Sequence, residues 1–322
     1  MEGGPPVEVS VIVPTRDRPE RLARTLATAG RQEGVATEVV VVDDGSEVPV
    51  SQPAADTVRL IRHATPRGVA VARNSGIAAS QGEWLAFLDD DDFWAPTKLV
   101  AQLDRIRESG ADFAFTDGVV IDDRGEVLFA DDAPTRPGMS LHRQLLESDV
   151  IPCGCSNVLV RADVVRSIGG FDETFGTLAD WDFNIRLSAV AAGVPVPERL
   201  IAYTLHAGNM HRDEQALAEE LGRFDDKHAP ARAREGVVFN RTQWLRWRAS
   251  RHRSAGDWSQ AASAYWRLGL ACRDPLLSVR AIVLAGRGEP VLAAIRRWVG
   301  RDAPPTVPPP WLASALSAAG GR

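Results

Sequence analysis

Apolar residues bunch at three places in the first hundred positions, and each bunch ends in polar residues. Val9–Val13, Glu38–Val42 and Trp84–Leu88 are short runs, largely β-branched or continuously apolar, of the kind that form buried parallel strands. Between them the periodicity becomes helical. Leu22 and Leu26 form a stripe behind Pro19, Val69–Ala79 is a short Ala-rich segment, and Leu99, Leu103 and Ile106 recur at helical spacing after Pro96-Thr97. Asp17 is placed to cap the first helix, with Glu20 as its capping-box partner. This alternation predicts an α/β fold: a Rossmann-like, doubly wound, mostly parallel sheet with right-handed crossovers. In such sheets ligands bind at the C-terminal edge of the strands. There the three runs deliver Pro14-Thr15-Arg16-Asp17, Asp43-Asp44-Gly45-Ser46 and Asp89-Asp90-Asp91-Asp92.

Four consecutive carboxylates at a strand end repel one another unless a cation neutralises them. Hard oxygen ligands of this type suit Mg²⁺ or Mn²⁺, ions that commonly arrive with phosphate. Further along, Asp180 opens a segment, 180–192, that predicts a helix, where the dipole favours the ionised carboxylate. Asp182 lies two residues on and so points to a different face.

Six motifs follow one another in order: Val9-Ser10-Val11-Ile12-Val13-Pro14-Thr15, Val42-Asp43-Asp44-Gly45-Ser46, Gly68 with Ala72-Arg73-Asn74-Ser75-Gly76, Phe87-Leu88-Asp89-Asp90-Asp91-Asp92, Gly169-Gly170-Phe171-Asp172-Glu173, and Asp180-Trp181-Asp182-Phe183 with Arg186-Leu187. Over residues 7–225 the chain resembles the family 2 glycosyltransferases, inverting enzymes with a GT-A fold. The resemblance implies that Pro14, Thr15 and Arg16 lie along the nucleoside. It implies that Asp44 accepts a hydrogen bond from the base, while Asp43 shapes the same turn. Arg73 and Asn74 would sit near the nucleotide, and Asp89 or Asp90 would hold the sugar-nucleotide. Asp91 would bind Mn²⁺ or Mg²⁺ on the diphosphate, with Asp89 and His206 as further ligands; His211 is in the same loop. Asp180 would be the general base, with Asp182 as the fallback. One departure stands out: the family's motif has two adjacent acids, and here Ala179 precedes Asp180. Asp117 is a further candidate for the donor sugar.

The resemblance implies a metal-dependent inverting glycosyltransferase of the hexosyl type. It would take a UDP-sugar, or next a dTDP-sugar, and act on a hydroxyl of a saccharide, lipid-linked saccharide or natural product. The alternative is a non-catalytic nucleotide-sugar-binding or regulatory module on the same fold. A nucleotidyltransferase would need a Gly-rich basic loop after the first strand, where this chain has Pro14-Thr15-Arg16-Asp17-Arg18.

Composition adds a second region. Of 322 residues 44% are hydrophobic, enough for a sizeable core, and three cysteines do not make a disulfide scaffold. Cys153-Gly154-Cys155 reads as packing or acceptor lining rather than a zinc site, for want of a second thiol pair. Residues 231–322 carry 15 arginines and five acids, a net +10 in a chain of −6, so residues 1–230 carry −16. Trp244, Trp247, Trp258, Trp266, Trp298 and Trp311, six of nine tryptophans, also lie there. The expected organisation is a catalytic domain over 1–230, an Arg/Trp-rich helical region over 231–303 and a Pro-rich tail over 304–322. Helices are expected at Trp244–Arg253, Trp258–Cys272, Leu276–Ala285 and Val291–Val299. The helical region reads either as a cap on the catalytic domain or as a peripheral contact with anionic membrane. Nucleic acid is not an expected partner, since the chain is acidic overall. With no apolar run of spanning length, and Met1–Pro6 unlike a signal peptide, the expected location is cytoplasmic, at most peripheral at the inner membrane face.

Overall fold

The three apolar runs become neighbouring strands of one sheet in the computed structural model of the protein. It describes residues 7–319 apart from 53–56, 135, 207–213, 241, 243, 246–248, 250–251, 253–257, 273–274 and 286–305. The strands are β1 (Val9–Thr15), β2 (Thr37–Asp43), β3 (Val58–Arg62), β4 (Trp84–Phe87), β5 (Phe93–Trp94), β6 (Phe113–Ile121), β7 (Val127–Asp131), β8 (Leu159–Arg161) and β9 (Gly193–Thr204). Their order is β3-β2-β1-β4-β8-β6-β9-β5, with β7 paired to β6. The first four run parallel, as expected of a doubly wound fold. Beyond them the sheet is mixed: β8 lies antiparallel to both β4 and β6, and β6 runs parallel to β9.

Alternation along β1 divides the core. Val9, Val11 and Val13 face α1 (Pro19–Ala29) and α3 (Lys98–Ser109), burying Leu22, Leu99, Leu103 and Ile106. Ile12 faces the other side, with Phe87 and the residues of α6 (Ala179–Ser188). There Phe171 stacks on Phe183 with centroids 4.3 Å apart, and Phe87 meets both edge-on at 5.1 and 5.6 Å. The remaining helices before the C-terminal region are α2 (Val69–Ala79), α4 (Leu141–Glu147), α5 (Ala162–Ser167) and α7 (Glu214–Glu235).

Two local expectations are corrected. The capping box does not form, because Arg18 occupies the cap position of α1 and its side chain makes no capping bond. Asp17 instead ties two loops together: its N–H donates to Ser46 Oγ at 2.9 Å and its Oδ1 accepts from Glu47 N at 2.7 Å. Helix α6 begins at Ala179 and ends at Ser188, so Asp180 stands in its first turn rather than at its cap.

Asp182 proves to be structural. Its side chain is fully buried, with Oδ1 2.9 Å from His228 Nε2 and 2.6 Å from Lys227 Nζ, and Oδ2 2.7 Å from Arg186 Nε. It thus fastens α6 to α7 and faces away from the strand edge. Burial alone would raise its carboxyl, but His228, then Arg186 and Lys227, hold it below the ordinary value.

In the C-terminal region α8 (Trp258–Cys272) and α9 (Pro275–Ala285) bury Ala261, Tyr265 and Leu268 against Ala281. The expected helix Val291–Val299 lies outside the described residues, and Trp244–Arg253 is described only in part. No helix among the described residues is long and apolar enough to cross a membrane. The apolar stretch behind the prolines is a helix, α10 (Pro310–Ala319), that docks on the catalytic sheet. Trp311 Nε1 donates to Arg199 O at 2.8 Å, and Leu312 is buried among Phe93, Val119, Ile121 and Ala202. Leu316 presses on the β6–β7 turn at Gly125, where φ is +82° and a Cβ would come within 2.4 Å of it.

Removing a buried leucine leaves a cavity as well as losing transfer energy. Leu312→Ala should therefore lower stability by about 2–5 kcal/mol in urea unfolding. Neutralising the buried Asp182 removes the shared partner of Arg186, Lys227 and His228, so Asp182→Asn should cost roughly 3 kcal/mol. Because the folded carboxyl titrates below its ordinary 3.8, its contribution is present above that pH and is lost as pH falls beneath it. Unfolding of wild type and variant should accordingly converge in acid; a constant gap down to pH 2 would contradict this.

Candidate active site

The C-terminal ends of β1, β2 and β4 bring their polar residues to one cavity of about 360 Å³. Pro14, Thr15, Arg16, Asp44, Arg73, Asp89, Asp90, Asp91 and Asp180 all line it, together with Arg18. These groups are strongly linked. Thr15 Oγ1 donates to Asp90 Oδ2 at 2.7 Å. Arg18 Nη1 bridges Asp90 Oδ1 at 3.0 Å and Asp91 Oδ2 at 2.9 Å. Arg73 Nη2 donates to Asp89 Oδ1 at 2.6 Å, and its guanidinium lies over Phe171, 5.2 Å from the centroid. Asp89 is also held from behind, its N–H donating to Ser156 Oγ at 2.9 Å.

The four aspartates occupy four different environments. Asp89 is the most open, and Arg73 compensates it. Asp90 is pushed up to about 7, by burial first and by the Asp91 charge second. Asp91 is 2.7 Å from His206 Nε2. Asp92 turns inward: Oδ1 accepts from Thr204 N at 2.9 Å, Oδ2 is buried with no hydrogen-bond partner, and burial pushes the carboxyl well up. That upward push lessens the charge the run must carry.

At the second strand end the two aspartates divide their work. Asp43 does not line this cavity; it accepts Ser46 N at 2.9 Å and Val50 N at 3.1 Å and pairs with Arg62, which fixes the turn. Asp44 reaches the cavity while accepting Arg67 N at 2.9 Å, Gly68 N at 2.8 Å and His63 Nδ1 at 2.7 Å. Those three bonds leave one acceptor direction of a carboxylate open. His63 is itself held by Ser75 Oγ at 2.9 Å from Nε2.

Asn74 departs from its expected place. It lines neither cavity and instead pins the Phe171 turn, donating to Phe171 O at 2.9 Å and accepting Phe171 N at 2.8 Å. Asp117 likewise accepts Ala133 N at 2.8 Å and lines neither cavity. His211 lies outside the described residues.

Asp180 stands where the first cavity meets a second of about 390 Å³, shared with Cys153, Gly154, Thr177 and Tyr203. Burial raises its carboxyl, Arg73 opposes that, and Asp89 adds to it. Its Oδ1 accepts Trp181 N at 2.8 Å. The backbone opposite bends through left-handed conformations at Cys153, φ 57°, and Gly154, φ 60°. A Cβ at Gly154 would meet Asp180 Oδ2 at 2.7 Å, so that bend leaves room for the carboxylate. Cys153 and Cys155 are free, buried thiols in this turn, pushed up by their burial.

The residues fit a metal that arrives with phosphate. Asp91 and His206 supply one carboxylate oxygen and one imidazole nitrogen, a donor pair acceptable to Mn²⁺ or Mg²⁺ when phosphate oxygens complete the shell. Among the described residues no group of three or more His, Cys, Asp or Glu could hold an ion. Sequence reasoning missed Arg18, His63, Ser156 and Asp149, the last at the second cavity.

The sequence model of glycosyl transferase family 2 matches residues 10–169. An uncharacterized glycosyltransferase of Haemophilus influenzae is 30% identical over 203 residues, covering 62% of this chain and 68% of that protein. The succinoglycan biosynthesis protein ExoO of Rhizobium meliloti is 34% identical over 150 residues, 45% of this chain and 43% of its own. The pre-mycofactocin glycosyltransferase of Mycobacterium tuberculosis is 28% identical over 213 residues, 62% of this chain and 42% of its own. The chain thus matches less than half the length of the last two. Among solved structures, S. aureus TarS 1–349 in complex with UDP-GlcNAc superposes with a TM-score of 0.50 at 17% identity, covering 85% of this chain and 89% of that one, a likeness of fold. On the sequence matches, the chain belongs to glycosyl transferase family 2.

Proposed function

We propose that the chain transfers a sugar from a nucleoside diphosphate donor, a UDP-sugar ahead of a dTDP-sugar, to an acceptor hydroxyl with inversion at the anomeric carbon. The observation that carries this reading is Asp180 at the junction of two cavities, one walled by Thr15, Asp44, Arg73 and Asp89–Asp91 and the other by aromatic, apolar and acidic residues. The UDP-GlcNAc complex of TarS has the same fold and supports the nucleotide class by analogy only.

In this reading the open acceptor direction of Asp44 takes the imide N–H of uracil or thymine, and Pro14–Arg16 border the nucleoside. Arg18 and Arg73 lie on the carboxylate side of the diphosphate and balance the charge that develops as the glycosidic bond breaks. Asp91 and His206 would hold Mn²⁺ or Mg²⁺, which when bound supplies Lewis-acid stabilisation of the departing diphosphate. On the other face Asp180 accepts the proton of the acceptor hydroxyl as its oxygen attacks the anomeric carbon. The raised carboxyl of Asp180 makes it a stronger base than an exposed aspartate. The second acid of the family motif is Ala179 here, fully buried in the core, so Asp180 performs this step alone on its helix.

Asp180→Asn should keep UDP affinity and lower turnover by roughly 10²–10⁴-fold. Turnover of the unaltered protein should fall as pH drops through the raised Asp180 value, above the ordinary 3.8. An Asp180→Asn protein with near-wild-type transfer would remove the base from this residue. Gly154→Ala should act in the same direction, displacing Asp180 while sparing the nucleotide side. Calorimetric titration with UDP, dTDP and GDP, each with Mn²⁺ and with EDTA, tests donor and metal together. UDP is expected to bind tightest and only with metal, and Asp91→Ala to abolish the metal effect; equal binding in EDTA would refute the metal assignment.

A further inference from the structure

The second cavity differs chemically from the first. Trp181, Trp244, Phe129 and Ile151 give it apolar and aromatic walls. Trp181 spends its N–H on Leu145 O at 2.8 Å, which fixes the indole with only its ring to offer a ligand. The polar part of the wall is acidic: Asp131, Asp132 and Asp149 lie on it, with Asp180 at its mouth. Asp132 is balanced by a two-point pair with Arg199 at 2.7 and 2.6 Å. Asp131 accepts Cys153 N at 2.8 Å, and its enclosure pushes it up. Asp149 is pushed well up, by enclosure first and by the Asp180 charge second. Carboxyl oxygens accept from hydroxyl groups, so Asp131 and Asp149 suit a polyol. Among the described residues lining this cavity there is no lysine, arginine or histidine. Among the described lining residues an anionic ligand would meet acidic groups and apolar rings, with no cation to replace its hydration.

Resting on the glycosyltransferase reading, we infer that the acceptor is an uncharged hydroxyl compound with an apolar ring-bearing portion, in type an aryl or acyl glycoside. The aromatic wall receives the apolar portion, and the acidic wall excludes acceptors with a phosphate or carboxylate next to the reacting hydroxyl. This narrows the acceptor from saccharides at large and places saccharides attached directly to a pyrophosphate among those excluded.

Phenyl β-D-glucopyranoside and phenyl β-D-glucuronide share the aryl group and the ring and differ by one carboxylate. Their affinities for the full chain, read by ligand-observed NMR with and without UDP and Mn²⁺, test the inference. The glucoside should bind roughly tenfold or more tighter than the glucuronide. In Trp244→Ala the glucoside should weaken by about fivefold. In the pair Asp131→Asn with Asp149→Asn the preference should narrow about threefold or more. Equal or tighter binding of the glucuronide to the unaltered protein, or binding of neither glycoside, would overturn the inference. The comparison on unaltered protein stands even if a variant fails to fold. UDP binding measured in the same sample separates the two readings. A wrong donor site loses UDP and keeps the preference; a wrong acceptor class keeps UDP and loses it.

Discussion

Like charges in a half-dry cleft repel, and this repulsion is the constraint around which the strand edge is organised. Asp44, Asp89, Asp90, Asp91 and Asp180 line one cavity, while Asp92 lies just behind it. Left as bare anions they would drive the edge apart. The structure relieves them by two means. Arg18 and Arg73 set guanidinium groups among Asp89, Asp90 and Asp91. Burial raises Asp90, Asp92 and Asp180, reducing their charge. A diphosphate entering this cleft adds negative charge of its own, which is why a divalent cation belongs in the functional reading.

Aspartates that look alike in the sequence therefore hold different posts. Asp43 and Asp182 stabilise the scaffold: one closes the β2 turn, the other bolts α6 to α7. Asp44, one residue after Asp43, and Asp180, two residues before Asp182, face the cavities instead. On strand ends and helix first turns, side chains one or two positions apart point in different directions, so a short step along the chain separates scaffold from site. The Cys153-Gly154 bend completes this arrangement from the opposite wall, where its left-handed backbone clears the space of Asp180.

How much of this was legible depended on how local the signal was. The parallel half of the sheet could be read from β-branched runs in β1 and β2, and its edge from what followed them. The mixed half could not: β8 spans only Leu159–Arg161, and its pairing with β4 and β6 is set by tertiary packing rather than by pattern. The acidic run announced the site, but not that Asp92 turns inward, because burial depends on β9 arriving with Thr204. Arg18, His63 and Asp149 carried no signal of their own; each is brought to the site by a loop whose path the sequence does not encode in a period. Asn74 shows the reverse error, a motif residue whose side chain serves the Phe171 turn.

Helix α10 joins the far end of the described chain to its beginning. It packs on α1 and β5, and Leu312 closes a small core made by β5, β6 and β9. During synthesis those strands leave the ribosome more than a hundred residues before the helix that covers them, roughly 5–20 seconds earlier at ordinary elongation rates. For that interval the flank of the sheet bearing Phe93, Val119 and Ile121 is wet, and a nascent chain carries an exposed apolar surface beside an otherwise assembled strand edge. A ribosome that stalls between the two leaves a chain with those strands present and their outer flank unsealed.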